Sequence, residues 1–94
     1  MADPIFIDLP KNVWTKVATN VTSGQIHKKT EAPQEYLQTY RDTGGIVPPD
    51  TEEGKEQGVL MFRDDPITEL ISAISGIDIY VYPVEKAGKL RLDL

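Results

Sequence analysis

The sequence lacks cysteine altogether and contains a single histidine, His27, among its 94 residues. Without cysteine there are no disulfide bonds, no thiolate metal sites and no thiol nucleophile. A lone histidine on a polar segment is typical of an exposed surface residue, because a catalytic base also needs a nucleophile or a second acid in a shaped cleft. We therefore expect no catalytic, cofactor-binding or metal-binding residues, and a protein that is not an enzyme.

Long apolar runs and an excess of basic residues are also lacking. No apolar run approaches the roughly 20 residues of a transmembrane helix, and Met1–Pro4 has neither the basic start nor the apolar core of a signal peptide. The net charge is −5, whereas a nucleic-acid binder normally carries a basic patch. We expect a protein made in the cytoplasm that binds neither membranes nor nucleic acid.

Four of the 15 acidic residues lie in one long segment, residues 46–58, which also contains Pro48 and Pro49. Its carboxylates do not follow the alternating spacing, central glycine and final glutamate of an EF-hand calcium loop. A solvated acidic loop is the better interpretation of this segment, and loops this long are usually functional or mobile.

The clearest pattern that is present is alternation of apolar and polar residues near the C-terminal end. Residues 77–81 and residues 90–94 each place apolar side chains at every second position, which is typical of half-buried strands. The short polar segment between them, residues 84–88, predicts a hairpin. The register that sets Asp78 opposite Arg91 is favoured over the register that pairs two aspartates.

Residues 67–75 are ambiguous. Their isoleucines and leucine have helical spacing, and Asp65-Pro66 would suit a helix start. The run is short and rich in β-branched residues, so we favour a strand from about residue 70 to residue 75. Other segments predict strands at residues 5–9, 13–21 with a bend or bulge near 18–20, 25–30 after a turn at Ser23-Gly24, 36–42 and, as a buried strand, 58–63.

Together these segments predict an all-β protein. We expect residues 1–94 to form one small domain, a β-sandwich or barrel of about seven to eight mostly antiparallel strands with a long acidic loop. We expect residues 1–10 to form either an edge strand or an N-terminal arm that reaches a neighbouring subunit.

The order of segments resembles that of small all-β virion proteins of tailed bacteriophages. The resemblance is carried by residues 13–18, 36–45 with Pro48, 58–62 and 77–81. It implies a non-enzymatic structural protein of the virion, a capsid decoration, cement or connector protein. Such a protein would form a homo-oligomer, with a trimer favoured, and would stabilise the phage head by binding its own copies and the major capsid or connector protein.

An interface with a partner chain is expected where aromatic and apolar side chains accumulate, since Tyr, Trp and Arg dominate binding hot spots. For Tyr36 and Tyr40 the alternative is that they cover one side of the sheet, and for Tyr80 and Tyr82, which face away from the main core by alternation, it is a second buried layer. An alternative function is a carbohydrate-binding β-sandwich module of a phage tail or adhesin, in which Trp14 or the pair Tyr36 and Tyr40 stacks on sugar rings. The candidate interface residues are Ile5, Phe6, Ile7, Trp14, Tyr36, Tyr40, Arg41, Pro48, Pro49, Tyr80 and Tyr82.

Overall fold

The computed structural model describes residues 4–29, 35–42, 44–62 and 67–94. The described residues form one antiparallel sheet with the strand order β1-β6-β2-β5-β3-β4, which confirms the prediction of a small all-β protein. The elements are β1 (Ile5–Leu9), β2 (Thr15–Lys28), β3 (Tyr36–Asp42), α1 (Glu52–Lys55), β4 (Val59–Leu60), β5 (Thr68–Pro83) and β6 (Gly88–Asp93).

Two long strands, β2 and β5, explain why there are fewer strands than expected. The predicted turn at Ser23-Gly24 is wrong, because β2 continues through it and pairs with β5 on both sides. Gly24 is required there for another reason: a Cβ on it would lie 2.7 Å from the carbonyl oxygen of Asp93. The strand preferred for residues 70–75 is confirmed, and it is continuous with the strand predicted at 77–81.

The bulge predicted near residues 18–20 is confirmed. The register between β2 and β5 shifts on both sides of Ala18 and again after Val21, and Asn20 adopts a left-handed φ of 51°. An inserted residue interrupts the alternation of side chains, so the adjacent Val17 and Ala18 are both buried. The extra twist of a bulged strand lets the long ribbon of β2 and β5 bend.

The bend divides the sheet into two halves. In the first half-sheet, β1, β6, the second half of β2 and residues 68–76 of β5 lie side by side. In the second half-sheet, the first half of β2 and the rest of β5 lie beside β3 and β4. Tyr36 on β3 is fully buried and its ring reaches Gly88 on β6, so the two halves pack face to face. The core between them includes Leu9, Ile26, Tyr36, Phe62, Ile79, Val81, Leu90 and Leu92.

The predicted hairpin between residues 77–81 and 90–94 is wrong. Strand β6 pairs with β1 and β2, and β5 pairs with β2 and β3. Asp78 therefore lies opposite Arg41 and not opposite Arg91. Alternation in a sequence fixes which side chains share a face, but it carries no information on which strand lies next to which.

The predicted buried strand at 58–63 is also corrected. The strand β4 contains only Val59 and Leu60, both exposed, whereas the residues that follow it, Met61 and Phe62, are buried. The long acidic loop is present and contains the helical turn α1. Some parts of the predicted elements lie outside the described residues. They are residues 1–3 of the predicted arm, Thr30, and the segment 63–66, which contains Asp65-Pro66.

Candidate assembly surface

The residues expected to form an interface divide into a buried and an accessible group. Tyr36 belongs to the main core, where its ring meets Phe62 edge-on at 5.8 Å. Whatever a partner contacts on the isolated chain must come from the accessible group. The buried residues are Trp14, Tyr36, Pro48, Tyr80 and Tyr82, and the accessible or half-buried ones are Ile5, Phe6, Ile7, Tyr40, Arg41 and Pro49.

Trp14, Tyr80 and Tyr82 form a second apolar cluster on the other side of the sheet. The rings of Trp14 and Tyr82 lie 5.4 Å apart. The acidic loop covers them: the Asp50 carboxylate accepts the backbone N–H of Trp14 at 2.7 Å, and the Lys55 ammonium lies 5.8 Å from the Tyr82 ring. The chain's own loop therefore occupies the aromatic face that the sequence offered to a partner or a sugar.

Tyr40 and Arg41 differ from this cluster because they lie near the end of β3. Tyr40 is 51% exposed; partial burial raises the pKa of its phenol, and the nearby negative charge of Glu69 adds to the shift. The Arg41 guanidinium binds Thr39 Oγ1 at 2.9 Å, and it also binds the side chain of Gln57. Arg41 thus holds the acidic loop against β3 through Gln57, while the Tyr40 side chain remains accessible.

The first accessible edge is β1, at one end of the sheet. It pairs with β6 on one side and with no other strand of the described residues. Ile5 is 46% exposed and Phe6 is 55% exposed, while Leu9 at the other end of the strand enters the core. Lys89 lies beside this edge, with its ammonium 6.0 Å from the Phe6 ring. Half of β1 is therefore anchored and half is open to contact.

The second accessible edge is the first half of β5, which the sequence did not single out. Leu70 is 71% exposed and Ile74 is fully exposed, while Ile71 between them is 4% exposed and belongs to the core. The sequence did contain a sign of this second edge, because residues 70–74 carry apolar side chains at both the odd and the even positions of the strand. A strand with two apolar faces predicts burial on both sides, and the isolated chain covers only one of them.

A third set of accessible apolar side chains lies on β4 and at the start of the acidic loop. It consists of Ile46, Val47, Val59 and Leu60, of which Ile46 is 86% exposed. Large apolar side chains gathered on an otherwise polar surface mark interaction sites more often than scattered ones do.

His27 is not the isolated surface residue that its surroundings in the sequence indicated. It lies on β2 between two neighbouring strands, with Nδ1 2.9 Å from Thr68 Oγ1 on β5 and Nε2 2.8 Å from an Asp93 carboxylate oxygen on β6. The other oxygen of Asp93 accepts a hydrogen bond from Arg91 Nε at 3.2 Å. This hydroxyl–imidazole–carboxylate chain ties the three strands that form most of the first half-sheet.

Among the residues that the structure describes, no three histidine or acidic side chains come together in a way that could hold a metal ion. The helix α1 has four residues, and no described helix is long and apolar enough to cross a membrane. Comparison of the chain with protein-family models, curated proteins and solved structures gives no match.

Proposed function

We propose that this protein is a non-enzymatic structural protein that assembles from copies of itself, as a decoration, cement or connector component of a tailed-phage virion. The observation that supports self-assembly most directly is the exposure of apolar side chains along strand edges, above all Leu70 and Ile74. Natural proteins usually protect such edges with charges, prolines or covering segments, and an assembled partner provides the same protection.

The size of the chain supports the same function. A domain of 94 residues buries roughly 60–70% of the surface of its unfolded chain, so its core is small. Association with identical copies stabilises the folded state by mass action. The virion role itself rests on the resemblance, which associates small all-β chains of this kind with capsid surfaces and connectors.

The carbohydrate-binding alternative loses its main support. A sugar-binding face needs accessible aromatic rings, and Trp14 is 7% exposed while Tyr36 is buried completely. Tyr40 is the one member of the proposed stacking residues whose ring is accessible.

The first experiment is the mass of the protein in solution, measured by light scattering on a sizing column over a hundredfold range of concentration. We expect a trimer or a larger ring that persists on dilution. A folded monomer at every concentration would contradict self-assembly, and titration with glycans, followed by tryptophan fluorescence, would then test the alternative.

A further inference from the structure

The first half-sheet ends in two edges that differ in sequence. One edge is β1. The other is formed by residues 68–76 of β5, because β3 pairs with β5 only from Ile77 onward. Among the described residues, no strand lies beside either edge on its outer side. Unpaired backbone N–H and C=O groups along such an edge are a template for pairing with another chain.

Strand β1 is shorter than the open stretch of β5, and both edges carry accessible apolar side chains. Strand β1 has 5 residues, which span about 17 Å, and residues 68–76 span about 30 Å when extended. Ile5 and Phe6 are accessible on the first edge, and Leu70 and Ile74 are accessible on the second. The open stretch of β5 is therefore long enough to pair with the whole of a second copy's β1. In that pairing the accessible apolar side chains of the two edges contact each other.

The charges of the two edges are complementary. Next to the first edge, the ammonium of Lys89 on β6 lies 3.8 Å from the Asp8 carboxylate of β1, and the neighbouring Lys29 adds a second, exposed cation. The open stretch of β5 carries the carboxylate of Glu69, which accepts the backbone N–H of Phe62 at 2.7 Å, and it has no lysine or arginine. Asp42, at the end of β3, is exposed where the open stretch of β5 begins. Complementary charges favour contact between unlike edges and disfavour contact between like edges.

We propose that β1 of one copy pairs with residues 68–76 of β5 in a second copy, in a head-to-tail contact that repeats and closes into a ring. The inference rests on the self-assembly proposed above and adds the two surfaces that form it. Each subunit then uses both edges of its first half-sheet, and a closed ring leaves neither exposed. A two-fold contact between two β1 strands would leave Leu70 and Ile74 uncovered.

The test uses three double variants of the full chain, each of which replaces two accessible apolar side chains by lysine. Ile5→Lys with Phe6→Lys blocks the β1 edge, and Leu70→Lys with Ile74→Lys blocks the β5 edge. Ile46→Lys with Val59→Lys is the matched control, because it makes the same change in charge away from both edges. All six side chains are accessible in the structure, and near-ultraviolet circular dichroism verifies that each variant is folded.

Head-to-tail pairing predicts that both edge variants are monomeric alone and that the control forms the same ring as the unmodified chain. An equal mixture of the two edge variants should form a dimer and nothing larger, since one intact β5 edge meets one intact β1 edge. If the β5-edge variant alone formed dimers, a β1-to-β1 contact would replace the proposal.

Loss of the ring in the Ile46→Lys and Val59→Lys control, with both edge variants still assembled, would place the interface at β4 and overturn the inference while self-assembly stands. A monomeric unmodified chain would overturn self-assembly itself.

Discussion

The carboxylate of Asp78 accepts the backbone N–H of Asn20 at 3.0 Å, although the two residues are far apart in the sequence. Its other oxygen accepts the backbone N–H of Gly44 at 3.2 Å and lies 3.5 Å from the Lys16 ammonium. The side chain is 1% exposed. One buried carboxylate thus holds the bulge of β2, where Asn20 has its left-handed φ, against the end of β3.

The first prediction concerns Asp78→Asn. The hydrogen bond from Asn20 is the main reason why the pKa of Asp78 is lowered, and the Gly44 N–H and Lys16 add to it. A group whose pKa is lowered in the folded state stabilises the protein above its unfolded pKa of about 3.9, and that contribution is lost as the pH falls through the folded pKa. We expect Asp78→Asn to lower the urea midpoint at pH 7.

The difference in midpoint between the unmodified chain and Asp78→Asn should be constant from pH 7 to pH 5 and shrink below about pH 4. Asp42→Asn is the matched control, because Asp42 lies on the neighbouring strand and is exposed. Equal urea midpoints for Asp78→Asn and the control at pH 7 would show that the hydrogen bonds to the Asp78 carboxylate contribute nothing to stability.

The role of Asp78 also shows what the sequence could and could not predict. Alternation identified the strand that carries it, and the burial of Ile79 and Val81 agrees with that pattern. Asp78 falls among the polar positions of the same pattern, which predict exposure, and yet it is buried. Its partners are backbone N–H groups made available by a bulge and a loop, and such groups leave no mark in residue types.

The same limit applies to the candidate site. The exposed apolar half of β1 could be predicted, because a short apolar run next to Pro10 is typical of an edge strand. The burial of Tyr82 was one of two alternatives that the alternation left open, and the burial of Trp14 could not be predicted, since both depend on the acidic loop folding back over these rings. Strand order depends on contacts between distant segments, which explains why the hairpin prediction was wrong although both of its strands are present, within β5 and β6.

The second prediction concerns the contact between the two half-sheets at Gly88. A Cβ on this residue would lie 2.3 Å from the hydroxyl oxygen of Tyr36 and 2.6 Å from its ring. Tyr36 is fully buried and has no room to move away. We expect Gly88→Ala to lower the free energy of unfolding by about 1–3 kcal/mol, the usual cost of overpacking a core, as measured by urea denaturation.

Tyr36→Phe removes the nearest atom of that contact and supplies the control for Gly88→Ala. In a double-mutant cycle the two changes should be less destabilising together than the sum of their separate effects. Additive effects would mean that the hydroxyl of Tyr36 and the added methyl group never meet.

The third prediction separates the two roles of β1. Leu9 is 1% exposed in the main core, whereas Ile5 is 46% exposed at the open end of the strand. Leu9→Ala should lower the free energy of unfolding by about 2–5 kcal/mol, because it leaves a cavity. Ile5→Ala should change the stability of the monomer by no more than about 0.5 kcal/mol and weaken assembly.

Both β1 substitutions are best measured in the Leu70→Lys, Ile74→Lys background, where assembly does not contribute to stability, and then in the otherwise unmodified chain by light scattering. The proposed division of β1 is wrong if Ile5→Ala leaves the dissociation concentration unchanged, or if Leu9→Ala unfolds at the same urea concentration as its parent.

The fourth prediction concerns the loop over the second aromatic cluster. The Asp50 carboxylate is the acceptor for the backbone N–H of Trp14, at 2.7 Å, and Gly58 at the end of the loop packs against the Trp14 ring. Asp50→Ala removes the acceptor and should cost about 1 kcal/mol of stability. It should also increase acrylamide quenching of Trp14 fluorescence and shift the emission to longer wavelength, because the loop no longer excludes water from the indole.

Glu53→Ala is the control for the loop, since it removes the same charge from an exposed side chain of α1 and should leave the emission of Trp14 unchanged. Strong quenching in the unmodified protein would contradict a closed loop and return Trp14 to the set of available binding residues. Weak quenching that rises only in Asp50→Ala would mean that the loop shields the aromatic cluster, and the contacts available to a partner would then be those on the strand edges.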